Sequence, residues 1–269
     1  MIIVDTHIWM RIKSDADFKH LFNIGVIPSF LNLHEMGSSS LLYRNPKLLF
    51  RGYLNIDKFL DKIIIYNPFQ QLLFDNYNLE FDYKYANDIV QNISIISKAS
   101  LTEYLRLSEN MKVEMQAEIE NMDIGLSEVT KFANENIKTI QDGFIRSDGN
   151  IQLQREQKYL FIERRKNDYS SVVNLFKTLI KTAFNVDISE SVLLQKELFI
   201  KVINEYFLSL ETKEREEITN NDWNDLFFML YVNKGDYFWT AEKKWIKIIK
   251  KLNLQHYLFD GEMYLHKVK

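Results

Sequence analysis

The sequence predicts an α/β protein, a parallel sheet flanked by helices, with a large helical insertion. Three observations predict it. Short apolar runs at residues 2–4, 24–27, 62–66 and 237–240 have strand character. Helix-period segments separate them, and short strands alternating with helices indicate a parallel sheet covered on its faces. Between about residue 100 and 210 the periodicity is helical throughout, and only 8 Gly and 3 Pro in 269 residues leave few turns, so the helices are long.

The elements follow in order. Ile2, Ile3 and Val4 form a continuous apolar run, as suits a strand buried on both faces, and Asp5 ends it. A helix is expected from Asp15 to Phe22, then a strand from Ile24 to Ile27. Pro28-Ser29 reads as a helix start with Ser29 as cap, which places Glu35 within the first two turns. Lys62 to Tyr66, KIIIY, is a third strand, stopped by Asn67-Pro68. In the helical block, Ser189 starts a long helix ending near Glu211. Its Val192, Phe199, Val202, Ile203, Tyr206 and Leu210 fall within about 100° of arc, a core-facing stripe. A helix from Asp222 to Val232, a strand from Tyr237 to Thr240 and a helix from Glu242 to Leu252 complete the chain. The expected division is residues 1–90 and 216–269 for the sheet domain and 91–215 for the insertion.

Composition narrows the function. Cysteine is absent, which excludes disulfides, thiolate metal sites and Cys nucleophiles. The net charge of −3 gives no bulk signal for nucleic acid, though a local basic rim is enough to bind it. MIIVDTHIW lacks the basic start of a signal peptide, and no apolar run approaches the ~18 residues of a membrane span. A cytoplasmic protein without membrane association is expected. There is no Gly-rich phosphate loop and no serine nucleophile elbow.

The remaining chemistry lies in carboxylates at strand and helix ends, where parallel sheets bind ligands. Asp5 is either a ligand or an acceptor of backbone N–H bonds in the turn after its strand. Glu35, with Leu31 and Phe30 one turn back, is either at the edge of a buried face or solvated. Asp222 as N-cap with Asp225 three residues on imitates a capping box; the same spacing puts both on one face, where they could share a cation. Asp236 is most simply a turn residue. Glu242 begins the last helix, with Thr240 available as its cap. His7 is a ligand, a base or a hydrogen-bonded structural residue.

The order of these groups along the chain is more specific than any one of them. VDTHIW, PSFLNLHE, DLFFML and YFWTAEKKW together resemble a PIN-domain protein. The resemblance spans roughly the first 75 and last 55 residues. It implies a parallel sheet sandwiched by helices and metal-dependent endoribonuclease activity, often as a toxin paired with an antitoxin. It places Asp5, Glu35 and Asp225 at acidic positions, with Asp222 a rival for the third, and Glu242 at the fourth. Thr6 and Thr240 match supporting positions. His7 stands where Asn is common, Glu242 where Asp is usual, and the helical block has no counterpart in a minimal PIN domain. Carboxylate oxygens suit Mg²⁺ or Mn²⁺.

The expected function is therefore hydrolysis of RNA at a carboxylate-bound metal. The competing expectation is an inactive PIN-like module that binds a protein partner through its insertion. Lys243, Lys244, Lys247, Lys250 and Lys251 on the last helix, beside Trp239 and Trp245, are candidate RNA contacts, as is the cluster Arg164, Arg165 and Lys166. Solvated helix faces account for either cluster as well.

Overall fold

The computed structural model describes residues 1–13, 15–37, 41–145, 151–213 and 216–265. The chain opens with strand β1 (Ile2–Val4), followed by helices α1 (Thr6–Trp9) and α2 (Asp15–Asn23), strand β2 (Val26–Ile27), and helices α3 (Phe30–Gly37), α4 (Leu41–Arg44), α5 (Pro46–Asp57) and α6 (Pro68–Tyr77). The helical block holds α7 (Lys84–Lys98), α8 (Leu101–Ile145), α9 (Ile151–Arg165), α10 (Ser170–Phe184), α11 (Glu190–Leu194) and α12 (Glu197–Thr212). Helix α13 (Asn220–Leu230), strand β3 (Tyr237–Trp239) and helix α14 (Lys243–Lys251) close the fold. No described helix is long and apolar enough to cross a membrane.

The sheet is small and parallel, in the order β2-β1-β3. Ile2 pairs with Val26 and Tyr237, Ile3 with Ile27 and Phe238, and Val4 with Trp239. Single parallel bridges extend it on both edges, Ser29 with Ile64 and Phe238 with Leu258. The expected strand at 62–66 is reduced to that one bridge. A 3₁₀ turn at Leu60–Lys62 precedes it and the Asn67 capping box of α6 follows it, so only Ile64 is free to pair.

Alternation across β1 divides the core. Ile3 belongs to one apolar cluster with Phe176, Phe199, Ile203, Trp223 and Trp245. Ile2 and Val4 belong to the other, with Trp9, Leu33, Tyr53, Tyr104 and Trp239. The helices of residues 91–215 are thus built into the sheet's own core. The boundary expected at residue 90 falls inside α7, which packs on α3 and α5. Helix α8, 45 residues long, spans both clusters, with Tyr104 in one and Ala133 and Ile137 in the other.

The long helix expected from Ser189 is two helices, broken at Gln195 and Lys196. Lys196 is buried, and its ammonium donates to Asn233 Oδ1 at 2.6 Å. This contact ties the break to the loop before β3. The apolar stripe itself is in place on α12, where Phe199, Val202, Ile203, Tyr206 and Leu210 are all buried.

Candidate active site

Three of the candidate acids are positioned by elements that meet at the carboxyl edge of the sheet. Asp5 directly follows β1, and its backbone N–H donates to Trp239 O at 3.0 Å, continuing the β1–β3 ladder. Its side chain is almost fully buried and multiply bonded: Oδ1 accepts from the His7 N–H at 3.1 Å and Oδ2 from the Thr240 hydroxyl at 2.9 Å. Both alternatives for Asp5 are therefore compatible, since it accepts turn hydrogen bonds while facing the cluster.

Glu35 stands on the second turn of α3. A residue not singled out in the sequence, Asn32, aims this helix. It is fully buried and donates to Val4 O at 2.8 Å and to Thr6 Oγ1 at 3.1 Å. Its Oδ1 accepts from the Ser29 N–H at 2.9 Å and from the Ser29 hydroxyl at 3.2 Å. Ser29 is thus the flanking residue expected, but its hydroxyl donates to Asn32 instead of capping the helix. The available signal was a lone amide on an otherwise apolar helix face, one turn before Glu35. Thr6 lies close enough to Glu35 to favour its ionised form, against the larger effect of burial.

Asp225 is placed from the far side. Thr219, not Asp222, is the N-cap of α13, and Asp222 is the third helical residue of a capping box. Asn134 of α8 grips Ile218 just before it, accepting from its N–H at 2.9 Å and donating to its carbonyl at 3.0 Å. The inserted helix thereby fixes where α13 starts. One turn later Asp225 Oδ2 accepts from the indole N–H of Trp245 at 2.8 Å, which links α13 to α14. Glu242 flanks the start of α14 and is exposed, with its N–H donated to Thr240 Oγ1 at 3.0 Å.

Electrostatics separates Asp222 from the others. Asp222 bonds Tyr206 OH at 3.0 Å, the N–H and hydroxyl of Thr219 at 2.8 Å each, and the Lys244 ammonium. Burial alone would raise its pKa, but Lys244 and Thr219 outweigh it and hold Asp222 below the usual carboxylate range. It is a satisfied structural acid. Among the described residues, by contrast, no lysine or arginine forms an ion pair with Asp5, Glu35, Asp225 or Glu242. Burial, and then the charge of Asp5, pushes Glu35 up to about 8 and Asp225 up to about 7. Glu35 also feels Asp225, and Asp225 also feels Glu242. The exposed His7 is pushed up to about 9 by its bond to Asp5, against the opposing effect of burial, with Glu35 and Glu242 contributing.

The structure therefore brings Asp5, Glu35, Asp225 and Glu242 within electrostatic reach of one another and leaves Asp222 out. Among the described residues, no three acidic or imidazole side chains are drawn together into a preformed metal-binding group. Three of the expected basic contacts are also engaged elsewhere. Lys244 serves Asp222 and lies 4.2 Å from the Trp245 ring centroid, Arg165 pairs with Glu211 at 3.2 Å, and Lys251 pairs with Glu205.

Fold and site together define a class, a parallel sheet among helices with an acidic cluster at its carboxyl edge. No protein-family model, curated protein or solved structure matches the chain.

Proposed function

We propose that the chain is a PIN-like metal-dependent endoribonuclease whose site is Asp5, Glu35, Asp225 and Glu242, with Mg²⁺ or Mn²⁺ as cofactor. The observation that carries the reading is the crowding of these acids at one edge. Burial and Asp5 oppose the ionisation of Glu35 and Asp225, and Asp5 itself is paired with the exposed His7 at 3.6 Å, while nearby Asp222 has a lysine of its own. Crowded carboxylates without a lysine or arginine ion pair are what a divalent cation neutralises. The donor set fits, being all oxygen, with Asp5 after β1, Glu35 on α3, Asp225 on α13 and Glu242 before α14. The small parallel sheet among helices is compatible with the α/β fold that the resemblance implies.

Asp5 and Asp225 would hold the metal directly, with Glu35 as ligand or water-positioning base and Glu242 completing the shell from the rim. When bound, the metal activates water and offsets charge on the phosphoryl group in an in-line displacement. The chain's own contribution is orientation and proton handling. Thr240 orients Asp5 and Trp245 orients Asp225, and the carboxylates would draw closer together on binding, since among the described residues they do not form a metal-binding group beforehand. Glu35 keeps its proton near neutral pH in the metal-free protein and would become a proton acceptor only once a bound cation favours its ionised form. His7, kept cationic by Asp5 and exposed at the rim, is suited to meet a phosphate oxygen and to protonate the leaving alkoxide.

The test is cleavage of a mixed RNA pool by wild type and by Asp5→Asn, each with Mn²⁺, Mg²⁺ or EDTA. Metal-dependent cleavage that is absent from the variant is expected. A folded wild type that cleaves nothing with either metal would overturn the reading and leave the protein-binding module as the alternative.

A further inference from the structure

The helical block holds a cavity of about 540 Å³ that shares no lining residue with the acidic edge. Helices α8 and α10 both pack on α12, and the cavity lies between them, with α9 contributing Phe161 and Arg165. Ala133, Ile137 and Phe207 are buried and form an apolar floor. Phe132 stands at the mouth with its ring 57% exposed. Neutral polar groups surround it there: Asn136 on α8, and Ser171, Asn174 and Thr178 on α10, all exposed.

Among the described residues that line the cavity, only Arg165 and Glu211 carry charge. They pair with each other at 3.2 Å, and Arg165 Nη1 also donates to Asp168 O at 3.2 Å. The lining therefore presents no uncompensated charge. An ionised ligand would shed its hydration there and meet no charge in return. A neutral one loses little and gains the apolar floor, and a volume of this order suits a small organic molecule.

The same stretch of α8 also holds the chain on the way to Asp225. Thr130 Oγ1 donates to Asn220 Oδ1 at 2.6 Å, Asn134 grips Ile218, and the Gln141 amide donates to Leu210 O and Lys213 O at 2.8 Å each. At 100° per residue these three fall within about 40° of arc, and the cavity residues Phe132, Asn136 and Ile140 lie on the neighbouring face. One helical segment thus lines the cavity on one side and, on the other, holds the end of α12 and the start of α13. A ligand in the cavity packs against α8 and α12 together, so it holds α8 and its three grips more firmly.

We infer that this cavity is a binding site for a neutral, largely apolar small molecule with one hydrogen-bonding group, and that its occupancy sets how firmly α8 holds the start of α13, the helix of Asp225. The inference goes beyond the ribonuclease reading, and neither binding nor coupling needs that reading to hold.

The experiment titrates the protein, without RNA or metal, with two fluorescent probes of one shape. Phenylnaphthylamine is neutral and carries a single N–H; anilinonaphthalene sulfonate is the same arylamine with a negative charge. Wild type should bind the neutral probe at least tenfold more tightly than the sulfonate. Asn174→Trp, which fills the mouth from an exposed position of α10, should weaken the neutral probe at least tenfold at an unchanged melting temperature. Glu211→Gln uncovers the Arg165 charge and should narrow the preference by strengthening the sulfonate. If that variant does not fold, Phe132→Ala, at an exposed ring, should weaken the neutral probe instead. Hydrogen exchange reads the coupling: a saturating neutral probe should slow residues 216–222 in wild type and not in Asn174→Trp. Equal binding of the neutral probe by wild type and Asn174→Trp overturns the site, as does a sulfonate that binds wild type as tightly. Probe binding that fades with rising protein concentration as the chain self-associates also overturns it, and marks a contact between copies. Unchanged exchange at saturation overturns the coupling. A failure of cleavage bears on none of these readouts, and their failure leaves the ribonuclease reading standing.

Discussion

Thr240 donates its hydroxyl to Asp5 Oδ2 at 2.9 Å, a bond between residues 235 positions apart that joins the ends of the last and first strands. The same Thr240 oxygen accepts the Glu242 N–H, so one side chain orients two of the four acids. Thr240→Val keeps the shape and removes both bonds. One lost hydrogen bond to a buried charge costs about 1.5–3 kcal/mol. The variant should therefore melt several degrees lower yet remain folded. Metal-dependent cleavage should fall at least tenfold, and a higher Mn²⁺ concentration should recover part of it. Full activity at low Mn²⁺ would show that Asp5 does not depend on Thr240 for its orientation.

The raised acids predict an inverted pH dependence of stability. Unfolded carboxyls titrate near 4, whereas folded Asp225 titrates at about 7 and Glu35 at about 8. Between these values the folded chain holds protons that the unfolded chain has shed, so stability falls as pH rises. His7 acts in the same direction: its folded value of about 9 exceeds the ordinary imidazole value, and its contribution is lost as pH rises through 9. Its exposure keeps that share small. In EDTA the denaturation midpoint should be highest near pH 5 and decline towards pH 9. Mn²⁺ should stabilise increasingly across the same range, because it binds the ionised carboxylates. Melting curves at several pH values, with and without metal, check both slopes, and a midpoint that rises with pH in EDTA would contradict the assignment.

Asp222 and Asp225, three residues apart on α13, should respond oppositely. Asp222→Ala removes the acceptor of Tyr206, Thr219 and Lys244, and a broken buried pair costs about 3–5 kcal/mol. Its partial exposure and that of Lys244 move the expectation towards the lower end. Cleavage by the fraction that stays folded should survive. Asp225→Asn relieves repulsion from Asp5 and Glu242 while the Trp245 bond can still be accepted by the amide oxygen. It should leave the metal-free protein as stable as wild type or more so, and abolish cleavage. Urea denaturation paired with single-turnover cleavage distinguishes the two residues, and loss of activity without loss of stability in Asp222→Ala would restore it as a ligand candidate.

How far the sequence revealed this depends on how local each signal is. β1 and β3 were readable because each is an apolar run closed by a polar residue, and their pairing follows from burial on both faces. The acids were readable as a series, not singly. What escaped was set by distant partners. Nothing in Gln195-Lys196 announces a helix break; it becomes visible only when Asn233 supplies an acceptor for a buried ammonium. The cap of α13 was misplaced by one turn because Thr219 and Asp222 both suit the role, and the grip of Asn134 on Ile218 decides between them. Asn32 looked like any helix amide until Val4 of the first strand and Thr6 of the helix after it arrived beside it. The strand at 62–66 had the right composition but lacked room between two helical turns.

Gly261 offers a last test, of the segment that packs on the end of β3. A Cβ placed there would lie 2.2 Å from the six-membered ring of Trp239, which is buried at the end of β3. The glycine is required by this close approach alone, since the segment lies flat on the indole. Trp239 is wedged against Phe259 and Tyr264 at centroid distances of 5.2 and 6.1 Å and has little room to move. Gly261→Ala should therefore lift the segment away from the sheet at a cost of about 1–3 kcal/mol. Trp239 would gain solvent contact, so the tryptophan emission should shift to the red. Metal-dependent cleavage should weaken with it, because Trp239 precedes Thr240, which holds Asp5. Unaltered emission with an unaltered melting temperature would mean that the segment accommodates the methyl group without moving from Trp239.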